Sequence, residues 1–346
     1  MTATTTTHPR PLAGRVAVVA GATRGAGRGI ARMLGEAGAT VVCTGRSSRA
    51  AGPSSSATAD GRPETIEETA ALVDAAGGIG VPVRVDHGVE AEVIALFERV
   101  ARDLGRLDVL VNDIWGGDPL TEWDTPFWCL DLAKGRQMLE SAVWTHVITA
   151  RHGAPLMVAQ GSGLIVEVTD GDFYGYRGTL FYDLAKLATI RLGYSMAKDL
   201  AGTGVTALTV TPGFLRSEAV LAHFGVTEAN WRDAVAADRH FAQSETPCFV
   251  GRAVAALAAD PHVGARAGGV FGSWTLAHAY GFDDIDGRRP DWGTYFRGVI
   301  DEITARTEPL TESDRILLQY GAHQLDLDPR RRGMARRIAA RLARAE

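Results

Sequence analysis

A doubly wound, mostly parallel α/β sheet is the fold class that this sequence predicts. Two features point to it. From Arg15 to about residue 275, short β-branched runs alternate with longer Ala/Leu/Glu/Arg segments of helical period. The first run then leads straight into a glycine-rich turn. Repeated βα units of this kind close by right-handed crossovers into a Rossmann-type sheet of about seven strands with helices on both faces.

In chain order the strand-like runs are 15–20, 40–45, 81–85, 107–112, 164–168, 205–210 and 268–272. Most are apolar without strict alternation, as strands covered on both faces are. Helical segments are expected at 25–37, 63–76, 89–104, 132–160, 182–202 and 246–259. Residues 1–11 read as a loose tail without the apolar core of a signal peptide, 12–275 as one domain, and 276–346 as a C-terminal extension that forms a lid or oligomer contacts. Residues 47–62 are a Ser/Ala/Gly-rich loop, and 115–130 carry three tryptophans between Pro and Gly. In the Arg-rich end, Met334, Ile338 and Leu342 give a helix one narrow apolar edge, a solvated or subunit-docking pattern. "DDIDG" at 283–287 lacks the closing acid of a calcium loop.

Bulk properties narrow the function. The chain has 346 residues, 46% of them hydrophobic, enough for a large core. A net charge of −5 argues against nucleic acid as the main partner, and no run of about eighteen apolar residues is present to cross a membrane. Cys43, Cys129 and Cys248 are scattered and form no CxxC, as expected of reduced thiols in a soluble cytoplasmic protein.

The turn after the first run reads "AGATRGAGRGI", with Gly21, Gly25 and Gly27 at a strand-to-helix junction. Glycines there permit positive φ and a close backbone approach to a ligand, and the helix that follows offers N–H groups and its positive end to a pyrophosphate. The end of the second strand selects the dinucleotide. It carries Arg46 rather than an acid, and Arg24 lies in the glycine-rich loop. Two guanidiniums can clamp a 2′-phosphate that a carboxylate would repel, so NADP(H) is preferred, with NAD(H) possible.

In "GTLFYDLAK", Tyr182 and Lys186 are one helical turn apart on one face. An ammonium beside a phenol favours phenolate and equips the pair for proton transfer.

Taken in order, these landmarks resemble the short-chain dehydrogenase/reductase family across about residues 12–275. "GATRGAG" looks like its glycine-rich motif, with Ala20 where Thr is usual, so Gly21, Thr23, Arg24, Gly25, Ala26 and Gly27 would hold the cofactor. "VDH" at 85–87 matches the adenine-contacting segment, which assigns Asp86 and His87 to the cofactor. "LVNDIWGG" matches the Asn-Asn-Ala-Gly motif only at Asn112. "TPGFLRS" matches the turn after the sixth strand, with Pro212, Gly213 and Ser217 beside the carboxamide. The resemblance implies that Tyr182 is the general acid or base, and that Lys186 lowers its pKa and holds the nicotinamide ribose.

Two positions depart from the family pattern. The catalytic serine after the fifth strand is replaced within "EVTDGD", where Thr169 and Asp170 stand. An ionised Asp170 cannot donate to a developing oxyanion. Either Thr169 supplies the hydroxyl, or burial keeps Asp170 protonated, or the substrate is cationic. The helix-borne Asn of the family falls near Ala142, with Trp144 and His146 a turn along as substitutes or as plain packing residues. The pocket is expected beyond the strands' carboxyl ends, lined by Trp115, Trp123, Tyr174 and Phe214 and covered by residues 222–231.

The expected activity is NADP(H)-dependent interconversion of a carbonyl and an alcohol on a medium-sized, partly hydrophobic small molecule. The alternatives are imine reduction, a non-redox dehydration or isomerisation using Asp170, or a catalytically weak NADPH sensor. By resemblance, the protein would form a homodimer or homotetramer through the helices at 132–160 and 182–202.

Overall fold

The structure is a computed structural model that describes residues 10–49, 63–172, 176–305, 309–311, 314, 315, 318 and 340. Tyr174, most of the 47–62 loop and nearly all of the Arg-rich end lie outside the described residues.

Seven strands form one parallel sheet: β1 Val16–Ala20, β2 Thr40–Gly45, β3 Ile79–Arg84, β4 Val109–Asn112, β5 Gly163–Val168, β6 Val205–Thr211 and β7 Val270–Gly272. Their order is β3-β2-β1-β4-β5-β6-β7. β1 and β6 are buried along their whole length, which explains why they read as apolar runs without alternation. β3 is an edge strand, so Pro82 costs it no ladder bond on its open side.

The crossover helices are α1 Gly25–Glu36, α2 Ile66–Ala76, α3 Glu90–Leu104, α4 Leu132–Leu139, α5 Thr145–Gln160, α6 Leu180–Asp199, α7 Glu218–His223 and α8 Pro247–Ala259. α9 Ser273–Tyr280 and α10 Trp292–Ala305 follow the last strand. Local chemistry explains several ends. Thr65 and Glu68 form a reciprocal capping box at α2, and Gly77, Gly105 and Gly161 end their helices in left-handed conformation. One large core cluster on one face of the sheet packs α1 and α8 together, and another on the opposite face packs α3 and α5.

The single helix expected at 132–160 is broken. Residues Glu140–Trp144 form a π-turn between α4 and α5. There the Ser141 and Thr145 hydroxyls donate back to the carbonyls of Gln137 and Ser141, at 2.9 and 2.7 Å. The direction in which successive strands are added reverses between β1 and β4, opening a crevice at their carboxyl ends.

Candidate active site

A cleft of about 1900 Å³ occupies that crevice and extends under the segment after Pro212. Gly21 leaves β1 at φ 90°, and a Cβ there would stand 2.3 Å from the Asp113 carbonyl oxygen, so only glycine fits. At the start of α1, Gly27 N–H donates to the Asp113 carboxylate and Gly25 N–H donates to Glu218 Oε2 at 2.8 Å. The Ala26 N–H between them has no acceptor among the described residues. This open backbone donor, with Gly25 exposed to the cleft, fits an oxygen of a pyrophosphate.

Thr23, Arg24, Ala26, Arg46, Asp86, Pro212, Gly213 and Ser217 all line the cleft. His87 reaches it too, but its ring is buried and both nitrogens are used, at 2.8 Å each, by Thr44 and Thr149. Burial pushes His87 down to about 3, a neutral structural imidazole. Asn112 is wholly buried and donates to Glu167 at 2.7 Å, so its side chain braces β4 against β5 rather than lining the cleft.

The reacting end is built by β5 and α6. Tyr182 donates to Asp170 Oδ2 at 3.0 Å. Thr169 is buried, and its hydroxyl donates at 2.8 Å to the backbone carbonyl of Lys186, tying the strand end to the helix. Asp170 therefore takes the place beside Tyr182 that the two residues contested. Trp115 and Trp123 pack on the Tyr182 ring with centroids 5.4 and 5.3 Å away. Lys186 Nζ lies 3.7 Å from the Trp115 ring centroid. Burial pulls the Lys186 pKa down, opposed by the charges of Asp170, Asp113 and Asp118 and reinforced by Arg177.

Where the helix-borne Asn was expected, Ala142 is buried in the π-turn and Trp144 is exposed. His146 is buried, hydrogen-bonded to Glu167 at 2.6 Å and to the Ile114 carbonyl at 3.0 Å. Burial works against its charged form, but the Glu167 carboxylate outweighs this and holds the pKa above the ordinary imidazole value. Burial likewise pushes Asp113 up to about 7, against the pull of Lys186 and the Gly27 N–H.

Sequence reasoning missed several lining residues. Arg177 is almost fully buried in the β5–α6 loop, its guanidinium pressed against Gly171. Trp274, Trp292, Phe296 and Arg297 reach the cleft from α9 and α10, with Trp292 against Phe214 at 5.7 Å between centroids. Phe214, Phe224, Trp231 and Phe241 form a small aromatic cluster, of which Phe214 and Phe224 line the cleft. Asp284 and Asp286 of "DDIDG" serve this region structurally: Asp284 accepts from Thr246, and Asp286 pairs with the fully buried Arg216 at 2.9 Å. No group of metal-ligating side chains occurs among the described residues, and no described helix is long and apolar enough to cross a membrane.

The chain is similar in sequence and fold to known proteins. The family model described as short chain dehydrogenase matches residues 15–223. Dehydrogenase/reductase SDR family member 1 of Mus musculus is 36% identical over 283 residues, covering 80% of this chain and 85% of its own, and the Homo sapiens protein is 35% identical over the same span. Among solved structures, a putative NAD(P)-dependent gluconate 5-dehydrogenase from Beutenbergia cavernae, with NADP bound at low occupancy, is 26% identical with a TM-score of 0.59 over 77% of this chain and 97% of its own. The model match over more than half of the chain, and relatives this similar over most of their length, agree with the sheet order and the glycine cradle: the chain belongs to the short-chain dehydrogenase/reductase family, oxidoreductases that use a nicotinamide dinucleotide.

Proposed function

We propose that the protein is an NADP(H)-dependent oxidoreductase that interconverts a carbonyl and an alcohol, with Tyr182 as proton donor or acceptor and Lys186 as its assistant. The observation that carries this reading is the Tyr182–Asp170 hydrogen bond beside Lys186, in the same cleft as the glycine cradle. A bound nicotinamide would supply or accept the hydride. The protein's part is to meet the charge that hydride transfer creates. Tyr182 delivers a proton to the substrate oxygen during reduction, and the Lys186 ammonium stabilises the phenolate left behind. NADP(H) is favoured by Arg46 at the end of β2, which makes no hydrogen bond or ion pair with any described residue and is therefore available to a 2′-phosphate.

Trp115, Trp123, Phe214, Phe224 and Trp292 give the cleft aromatic walls suited to a medium-sized, partly hydrophobic substrate. Exposed Trp128, Leu132, Trp144 and Leu184 on and beside α4 and α6 support a homo-oligomer formed through those helices. A soluble cytoplasmic enzyme is the setting we propose.

Asp170 favours a second reading. An ionised carboxylate holds the Tyr182 proton against a neutral carbonyl but attracts a protonated imine. One experiment tests both. Tyr182→Phe and Asp170→Ser are assayed with NADPH against ketones, aldehydes and imines. Tyr182→Phe is expected to lower turnover by about 10²–10⁴-fold with NADPH affinity retained; unchanged turnover removes Tyr182 from the chemistry. Higher ketone activity in Asp170→Ser, with imine activity lost, selects the imine reading.

A further inference from the structure

Lys186 poses a problem that the family pattern does not solve here. Its side chain is partly buried and lines the cleft, yet among the described residues Nζ donates no hydrogen bond and forms no ion pair. What it does face is the indole of Trp115, 3.7 Å from Nζ to the ring centroid. The indole Nε1 donates to Asp118 Oδ1 at 2.6 Å, and the same ring meets Tyr182 edge-on at 87°. Lys186 Nζ is itself 5.3 Å from the Tyr182 ring. Buried Met138, Ala142 and Ala185 back this cluster. The neighbouring Gly117 makes room for it, since a Cβ there would stand 2.4 Å from the indole carbons.

We propose that Trp115 is the positioning residue for Lys186: its π face, made electron-rich by the Nε1–H···Asp118 bond, holds the ammonium against Tyr182 in place of an asparagine-ordered water. The proposal rests on the reading of Lys186 as the assistant of Tyr182. The attraction between a cation and an aromatic face grows as water is removed, and indole has the strongest face. Donating an N–H to a carboxylate pushes electron density into the ring. Asp118 therefore reaches Lys186 partly through the indole. The other charged or titratable groups facing Lys186 are Asp170 at the end of β5, Asp113 after β4, Arg177 in the β5–α6 loop and Tyr182 on its own helix.

The chain holds only three lysines, Lys134, Lys186 and Lys198. Reductive ¹³C-methylation, which retains the charge, therefore yields few NMR signals beside the α-amino group. We expect the Lys186 methyls to carry an upfield ring-current shift. Trp115→Leu removes that shift and lowers the Lys186 titration midpoint by about one pH unit. Asp118→Asn lowers it in the Trp115 background and by clearly less in the Trp115→Leu background. Lys134 and Lys198 stay where they are. If Trp115→Leu does not fold, Trp115→Phe, which keeps a face but has no N–H, is expected to give an intermediate midpoint that Asp118→Asn moves less. An unmoved Lys186 signal in the Trp115 variants overturns the proposal. So does an Asp118→Asn effect of equal size with and without the indole, which would mean direct Coulomb action. The readout needs neither cofactor nor turnover, so a failure of the oxidoreductase reading registers separately, in the Tyr182→Phe assay.

Discussion

Glu218 stands where a pyrophosphate held at the proposed glycine cradle would go. Its Oε2 accepts the Gly25 N–H at 2.8 Å, at the positive end of α1, and its Oε1 lies 3.9 Å from Arg28 Nε. Glu218→Gln keeps an acceptor but removes the charge. A hydrogen bond to a charged acceptor contributes about 1.5–3 kcal/mol, a neutral one about 1 kcal/mol. The difference spans about 0.5–2 kcal/mol, and because the Glu218 side chain is 30% exposed the change lies in the lower half of that span, at about 1 kcal/mol. That loss should destabilise the cofactor-free protein and lower its Tm by roughly 1–2 °C for a chain of this length. Cofactor binding moves the other way. The contact to be displaced is weaker and no carboxylate repels the phosphates, so the Kd for NADPH should fall about fivefold. Fluorescence titration with NADPH measures it, and the gap between variant and parent should shrink in high salt. Unchanged or weaker NADPH binding, or an undiminished Tm without cofactor, would refute the argument that Glu218 occupies the phosphate site.

Two further outcomes follow from the same geometry. Arg46→Ala should weaken NADPH by about tenfold or more and leave NADH nearly unaffected, because a charge-assisted contact to the 2′-phosphate is worth about 1.5–3 kcal/mol; equal losses for the two cofactors would remove Arg46 from the 2′-phosphate. Glu245 is buried, accepting from Gly213 N–H at 2.9 Å and Ser273 Oγ at 2.6 Å, while its Oε1 has no partner among the described residues. Burial pushes it up to about 8 from an ordinary 4.5, so between those values the native state holds a proton that the unfolded chain has released. Stability must therefore fall as pH rises from about 4.5 to about 8, and level off above. Glu245→Gln should gain Tm relative to the parent across that window; a difference in Tm that is flat from pH 5 to 9 would contradict this.

Much of the fold was legible because its causes are local. β1, β2 and β6 are apolar runs bounded by breakers, and both ends of α2 follow from Thr65, Glu68 and Gly77. The break at Glu140–Trp144 was not legible, since Ala, Val and Ser there suit a helix as well as a π-turn.

In the site, the sequence by itself determined the glycine cradle at Gly21 and Gly25, Arg46 at the end of β2, and the one-turn spacing of Tyr182 and Lys186, because each is set by neighbours along the chain. Only the tertiary structure decided which polar atoms face the cleft. Thr169 turns inward because its hydroxyl finds the Lys186 carbonyl, which leaves Asp170 to meet Tyr182. Asn112 and His87 are consumed by buried partners on other strands and helices. Glu218 reaches Gly25 across 193 residues, and Trp115 lies under Lys186 across 71, counted from their positions. A buried hydrogen-bonding group can be satisfied only by what the packed fold brings within about 3 Å, and that proximity is a property of the assembled sheet and helices rather than of any segment.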